Sequence, residues 1–258
     1  MSKIIKDIYK YKYLLYMLVN RDITKKYRRS FLGILWSLLN PMMMMIITAM
    51  VFSTLFRFEI HNYALYLLIG QVVFTFYAES TIFAMNSILE NSALLKKIYV
   101  PKFLFPMARI ISSCVNLLFT LPAIFIIMLV TEGEISASVL FLVIPLGLFL
   151  LFCTGIGMIL SACMVYFRDL GHLYGILITA LSYATPIFYP VSIVPEQYRF
   201  LLICNPVYYY VMMFRDVLYD GRLPSADILL TCVCLSAASV IIGFNVFNRV
   251  ENRFINYI

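Results

Sequence analysis

The chain has 258 residues, of which 63% are hydrophobic and 13% charged, with a formal net charge of +7. Soluble domains carry roughly 25% charged residues, so these proportions exclude one and require a polytopic membrane protein. The positive charge is not a nucleic-acid footprint: nine of the twenty Lys and Arg precede Phe31 and flank the first apolar run, as positive-inside topology demands.

Residues 1–30 read as a cytoplasmic lead. Ile8, Tyr11, Leu15, Leu18, Val19 and Ile23 recur at spacings of three and four with Lys and Arg between them, the pattern of a helix lying in the membrane interface. The basic stretch Arg21–Arg29 then turns apolar at Ser30–Phe31, and a first span follows over Leu32–Phe56, enough to cross a hydrocarbon core of about 30 Å at about 1.5 Å per residue. Arg57–Asn62 is a short external loop, and a second span runs over Tyr63–Ile88. Residues 89–102, containing ENSALLKKIYVPK, are too charged for immersion and return to the cytoplasm. A third span covers Phe103–Val130, and the acidic turn Glu132–Glu134 belongs outside. A fourth covers Ala137–Phe167 and ends inside at Arg168–Asp169; a fifth covers Leu173–Phe188.

Residues 190–225 break this rhythm. Four prolines (Pro190, Pro195, Pro206, Pro224) separate apolar pieces, Phe200–Cys204 and Val207–Phe214, that are too short to cross. Such pieces read as re-entrant or interfacial helices, tolerated where protein or water satisfies the backbone. The last span is Ala226–Phe247, and the tail is cytoplasmic. On this topology fifteen Lys and Arg lie inside and four outside, with Arg109 within the third span. That asymmetry puts both ends in the cytoplasm. The expected fold is therefore an all-α membrane protein: an interfacial helix in 1–30, then six spans in 31–258 with a re-entrant external segment between the fifth and sixth.

No catalytic constellation is present. There is no GxxxxGK[ST] phosphate loop, His61 and His172 fall on opposite sides of the membrane, and the six cysteines lack metal-ligand spacing. No secretory signal peptide is read in the N-terminal stretch. In Asn91–Pro101, Asn91 or Ser92 can cap a short helix, Leu94, Leu95 and Ile98 supply an apolar face, and Pro101 stops it. This loop reads equally as a helix docking into a partner and as a solvated turn. Glu79 and Arg109 are intramembrane charges that should face protein or water; pairing with each other or snorkelling reads as well as serving a substrate. The aromatics around the second and fifth spans and in Tyr208–Tyr210 suit interfacial belts, and suit equally a pore that stacks on sugar rings.

The stretch RDITKKYRRSFLGILWSLLNP (Arg21–Pro41) resembles the opening of permease subunits of ABC exporters that move lipid-linked polysaccharide of the O-antigen or teichoic-acid type. YFRDLGHLYGI (Tyr166–Ile176), ATPIFYP (Ala184–Pro190) and NPVYYYVMMFRDVLYDG (Asn205–Gly221) extend the resemblance in order along the chain. It implies a homodimer of this chain working with two copies of a separate ATPase, which binds ATP and Mg; this chain would carry no catalytic residue, metal or cofactor. It assigns coupling and gating to Asn91, Leu94, Leu95, Lys96, Lys97 and Pro101, and capture of the carrier diphosphate, beside membrane-lipid headgroups, to Lys25, Arg28 and Arg29. The channel-lining candidates are Tyr66, Phe74, Tyr77, Glu79, Tyr183, Phe188, Tyr189 and Tyr209. A drug or lipid exporter of the same ABC type would share the topology without the opening motif. A secondary transporter or channel would need midplane ion-coupling residues or repeat-related broken helices, and the sequence offers no such pair.

Overall fold

Long apolar runs must satisfy their backbone internally in lipid, and helices are what they form here. A computed structural model describes residues 2–28, 30–55, 60–97, 99–131 and 136–257, with the side chains of 2–5, 53–55, 255 and 256 left aside. The expected loop residue Arg57, the external turn Glu132–Glu134, Ile98 and Arg29 lie outside the described residues. All regular structure among the described residues is helical: α1 (Ser2–Lys10), α2 (Lys12–Tyr27), α3 (Leu35–Leu55), α4 (Tyr63–Glu90), α5 (Ser92–Leu95), α6 (Leu104–Val130), α7 (Val143–Tyr166), α8 (Leu170–Ala184), α9 (Arg199–Ile203), α10 (Pro206–Leu218) and α11 (Ala226–Val250), with short 3-10 turns between.

Among the described residues, five stretches are long and apolar enough to cross a membrane: Leu35–Phe52, Tyr63–Glu90, Leu104–Val130, Ala137–Tyr166 and Ala226–Phe254. The expected fifth span is shorter than its sequence suggested. α8 stops at Ala184, because Thr185 precedes Pro186 and takes an extended conformation (ψ 132°) that a helix cannot continue. Its 15 residues cover about 22 Å. Thr185–Tyr189 follows as an irregular strap rather than as helix.

α4 is the centre of the bundle. Leu67, Leu68 and Ile69 are wholly buried, and one core cluster joins them to Ile124 of α6, Phe149 and Phe152 of α7 and Tyr210 and Phe214 of α10. Helices in lipid gain little from apolar burial against one another, so small residues that permit close approach decide where they touch. α7 and α11 meet in this way: a Cβ on Gly155 would lie 2.1 Å from the Ser239 carbonyl carbon, and one on Gly243 would lie 2.3 Å from the Gly155 oxygen. α10 sits inside the bundle although it has only 13 residues. Pro206 opens it, the Asn205 side chain caps it at Val207 N, and the Tyr210 hydroxyl bonds Ser236 Oγ (2.7 Å) and the Cys232 carbonyl (3.1 Å) on α11.

The N-terminal helices turn their apolar residues inward. Leu18 is buried in a second cluster with Ile88, Leu95, Phe105 and Phe247, against which Ile8, Tyr11, Leu15 and Val19 also pack. Tyr9, Tyr13, Tyr16 and Met17 stay exposed.

Candidate functional site

Three helices carry polar side chains at helical spacing on faces that meet. On α3 they are Ser37 and Asn40, on α4 Gln71, Thr75 and Glu79, and on α6 Ser113, Asn116 and Thr120. Together with Trp36, Met44, Phe74 and Phe76 they wall a cleft of about 530 Å³. Lys26 and Tyr27 of α2 close it beside Glu79, and Ile187 and Phe188 of the strap close it beside Gln71. Those two ends are some eight residues apart along α4, about 12 Å. The walls are tied together: Thr120 Oγ1 donates to the Ser37 carbonyl (3.2 Å), Gln71 Nε2 donates to Thr48 Oγ1 (3.1 Å), and the Tyr27 hydroxyl donates to Asn116 Oδ1 (2.9 Å).

Two buried lining atoms, Gln71 Oε1 and Ser113 Oγ, have no hydrogen-bond partner among the described residues. A buried polar atom left unpaired costs about 1–3 kcal/mol, so this cleft suits a ligand rich in hydroxyls, with aromatic rings to meet its apolar faces.

A second cleft, of about 360 Å³, adjoins the α2 end and shares Lys26 and Asn116 with the first. Its walls include Asp22, Lys25, Glu90, Arg109 and Ser112. Arg109 does not pair with Glu79. It lies 3.2 Å from buried Asp22 and bonds Glu90, while Glu79 takes Lys26 at 2.6 Å. Arg21 joins Asp22 (3.0 Å) to Asn91 Oδ1 (2.9 Å). Among the described residues Lys25 has no ion-pair partner, so it is the free cation of this cleft. Arg28 is exposed at the end of α2 and lines neither cleft.

The loop after α4 forms a single helical turn. Asn91 gives no side-chain cap; its Nδ2 instead donates to the Ser87 carbonyl (2.7 Å). Leu95 is buried against the lead helices and Leu94 packs beside it, while Lys96 and Lys97 are exposed. Half-buried Pro101 accepts from Leu104 N at 3.3 Å as α6 begins. Lys102 donates to the Glu251 carbonyl, and burial pulls its ammonium below the usual lysine range.

Of the expected channel residues, the structure brings Phe74, Glu79 and Phe188 together on the first cleft. Tyr66 and Tyr77 are instead core residues, Tyr66 beneath the Arg215 guanidinium and Tyr77 stacked on Phe149 and Phe152. Tyr183 is exposed on α8, Tyr189 donates to the Tyr183 carbonyl (2.7 Å), and Tyr209 donates to the Ile203 carbonyl (3.1 Å), all away from the cleft. Sequence reasoning passed over Asn40, Gln71, Thr75, Asn116 and Thr120. The signal was there: α4 and α6 carry polar residues at i, i+3 or i+4, and i+7 or i+8, and α3 a pair at i and i+3, stripes that lipid would not tolerate.

Comparison with known proteins decides the family. A model of the ABC-2 type transporter family matches residues 13–219. The chain belongs to that family. The matched part of this ABC-2 chain runs from α2 through α10 and contains every residue that lines the two clefts. The chain is 29% identical to the O-antigen export system permease protein RfbA of Myxococcus xanthus, over 98% of this chain and 97% of that protein. It is 28% identical to RfbA of Klebsiella pneumoniae over 93% of both chains, and 22% identical to the polysialic acid transport protein KpsM of Escherichia coli over 91% and 92%.

Proposed function

We propose that this ABC-2 chain is the permease subunit of an exporter that carries lipid-linked surface polysaccharide across the bacterial cytoplasmic membrane. The observation that carries this reading is the first cleft: polar side chains on three helices and five aromatic side chains, with hydrogen-bonding atoms unpaired among the described residues, opening beside a basic helix. A glycan offers hydroxyls to Gln71, Thr75, Ser113 and Asn116 and ring faces to Trp36 and Phe74. The names borne by the relatives support the same substrate class.

The diphosphate of the carrier would meet Lys25 first, in the neighbouring cleft, with Lys26 next along α2. ATP and Mg belong to a separate ATPase, two copies of which would dock on two copies of this chain. The exposed Lys96–Lys97 turn, backed by buried Leu95, offers that subunit a handle on α4. Homodimer formation is supported by α3, where Met43, Ile46, Ile47 and Met50 stand exposed beside the cleft-lining Met44. α8 would be a sixth, short span, completed to membrane depth by the strap. α10, buried but too short to cross, suits a re-entrant external segment, and both termini would face the cytoplasm. The exposed Tyr9, Tyr13 and Tyr16, with Lys10 and Lys12 beside them, suit an interfacial position for α1 and α2.

The test is ATP turnover in nanodiscs by this chain co-purified with its ATPase, with and without a lipid-diphosphate glycan. Turnover that rises with the glycan, and falls in Lys96→Glu/Lys97→Glu without loss of protein, is the expected result. Failure of any ATPase to copurify, with solute or ion movement by the chain alone, would refute the exporter.

A further inference from the structure

The strap Thr185–Tyr189 is irregular backbone packed against the core, and its carbonyls must find donors. All four from Pro186 to Tyr189 take them from side chains of α4 and α10. Arg215 Nη1 donates to Pro186 O (2.7 Å) and Nη2 to Ile187 O (3.2 Å). The Tyr63 hydroxyl donates to Phe188 O (2.7 Å), and the Tyr66 hydroxyl to Tyr189 O (3.0 Å).

Arg215 is 2% exposed and has no carboxylate partner among the described residues. Its neighbour Asp216 is taken by Arg222 at 2.6 Å. The guanidinium lies 3.4 Å over the Tyr66 ring, and Nη2 also reaches the Tyr66 carbonyl (3.3 Å). A buried cation with no carboxylate at ion-pair distance is costly, and its planar fork is suited to grip adjacent oxygens at once. Gly70 leaves the room: a Cβ there would come 2.8 Å from Nη2 and 3.2 Å from the Ile187 side chain. A glycine inside a helix is less favourable than alanine, and this close approach explains it.

What the clamp holds is the end of the first cleft. Phe188 lines it and stacks on Phe52 of α3, with ring centroids 5.3 Å apart and planes at 17°. We infer that Arg215 is the positioning residue of a gate: it fixes the strap so that Phe188 meets Phe52 and closes the cleft at the end away from α2. Because Arg215 belongs to α10, tilting of α10 moves the strap with it and parts the two rings. The gating role rests on the transport reading above, but the closure itself does not.

The experiment is thiol labelling of Ile187→Cys, a buried strap residue that lines the cleft, with a polar maleimide, in the detergent-purified complex with its ATPase and with native cysteines replaced by alanine; both gate rings stay in place. Phe200→Cys, an exposed site in the neighbouring stretch, serves as control. Arg215→Lys and Gly70→Ala should each raise labelling at 187 by roughly tenfold, equivalent to about 1.4 kcal/mol of lost closed-state preference, and leave 200 unchanged. Unchanged labelling at 187, or a parallel rise at 200, would overturn the clamp. If Arg215→Lys does not yield folded protein, Gly70→Ala decides alone. Faster labelling at 187 in a complex whose ATP turnover ignores the glycan would leave the clamp standing and remove the transport reading.

Discussion

Two arginines inside this chain, one buried and one partly buried, solve the same problem in opposite ways. Arg109, at the α2 end of the clefts, lies among carboxylates: Asp22, buried, and Glu90, half in solvent. Arg215, at the strap end, lies among neutral carbonyls and a tyrosine ring. Ion pairs at a wet cleft can be exchanged for another anion, whereas carbonyl bonds and a ring face offer an incoming anion nothing to replace. The α2 end is thus chemically suited to receive a phosphate, and the strap end to hold a fixed shape. One side is built for exchange, the other for closure.

The comparison is broken most severely at Asp22. Replacing it with leucine leaves the partly buried Arg109 with one half-exposed partner, and breaking such a pair costs up to about 3–5 kcal/mol. A sharp fall in thermal stability of the purified protein is expected, with partial recovery when Arg109→Leu is added. A smaller loss is expected for Arg215→Lys, which keeps the charge but not the fork and so forfeits at least one carbonyl bond, about 1–3 kcal/mol. Its melting shift should be the same at low and high salt, while that of Asp22→Leu should depend on salt and added phosphate.

Lys26→Gln removes a pair whose lysine is 41% exposed, and such pairs contribute at most about 1 kcal/mol to stability. Melting should barely move, yet glycan-stimulated ATP turnover should fall, because Lys26 stands where the two clefts meet. The smallest structural effect is expected for Lys96→Glu/Lys97→Glu: both side chains face solvent, so melting is unchanged while ATPase coupling is lost. A melting shift in this variant as large as that of Asp22→Leu would show the turn to be structural.

Much of the helical architecture was legible from hydropathy and charge, since runs such as Phe103–Val130 admit few alternatives in lipid. The strap was not. A window averaged over Leu173–Phe188 stays apolar past Pro186, and only the X-Pro rule marks where the helix must stop. The site divided along similar lines. Phe74, Glu79 and Phe188 reach the cleft, but tyrosine by itself does not distinguish a wall from a core. Tyr66 and Tyr77 each have a buried partner, Arg215 or the α7 rings, that no local pattern announces. The alternative that pairs Glu79 with Arg109 fails because helix α2 brings its own charges, Asp22 and Lys26, to the two of them. Contacts across 53 or more residues are set by packing, not by spacing.

The central claim is that the first cleft is the path of the glycan. A photo-crosslinking side chain at Phe74, in the complex reconstituted with its ATPase, lipid-diphosphate glycan and ATP, tests it most directly. Capture of the glycan from position 74, dependent on ATP and absent from exposed Leu230 on α11, is the result expected. Glycan-stimulated ATP turnover with no capture at 74, or with equal capture at 230, would contradict it.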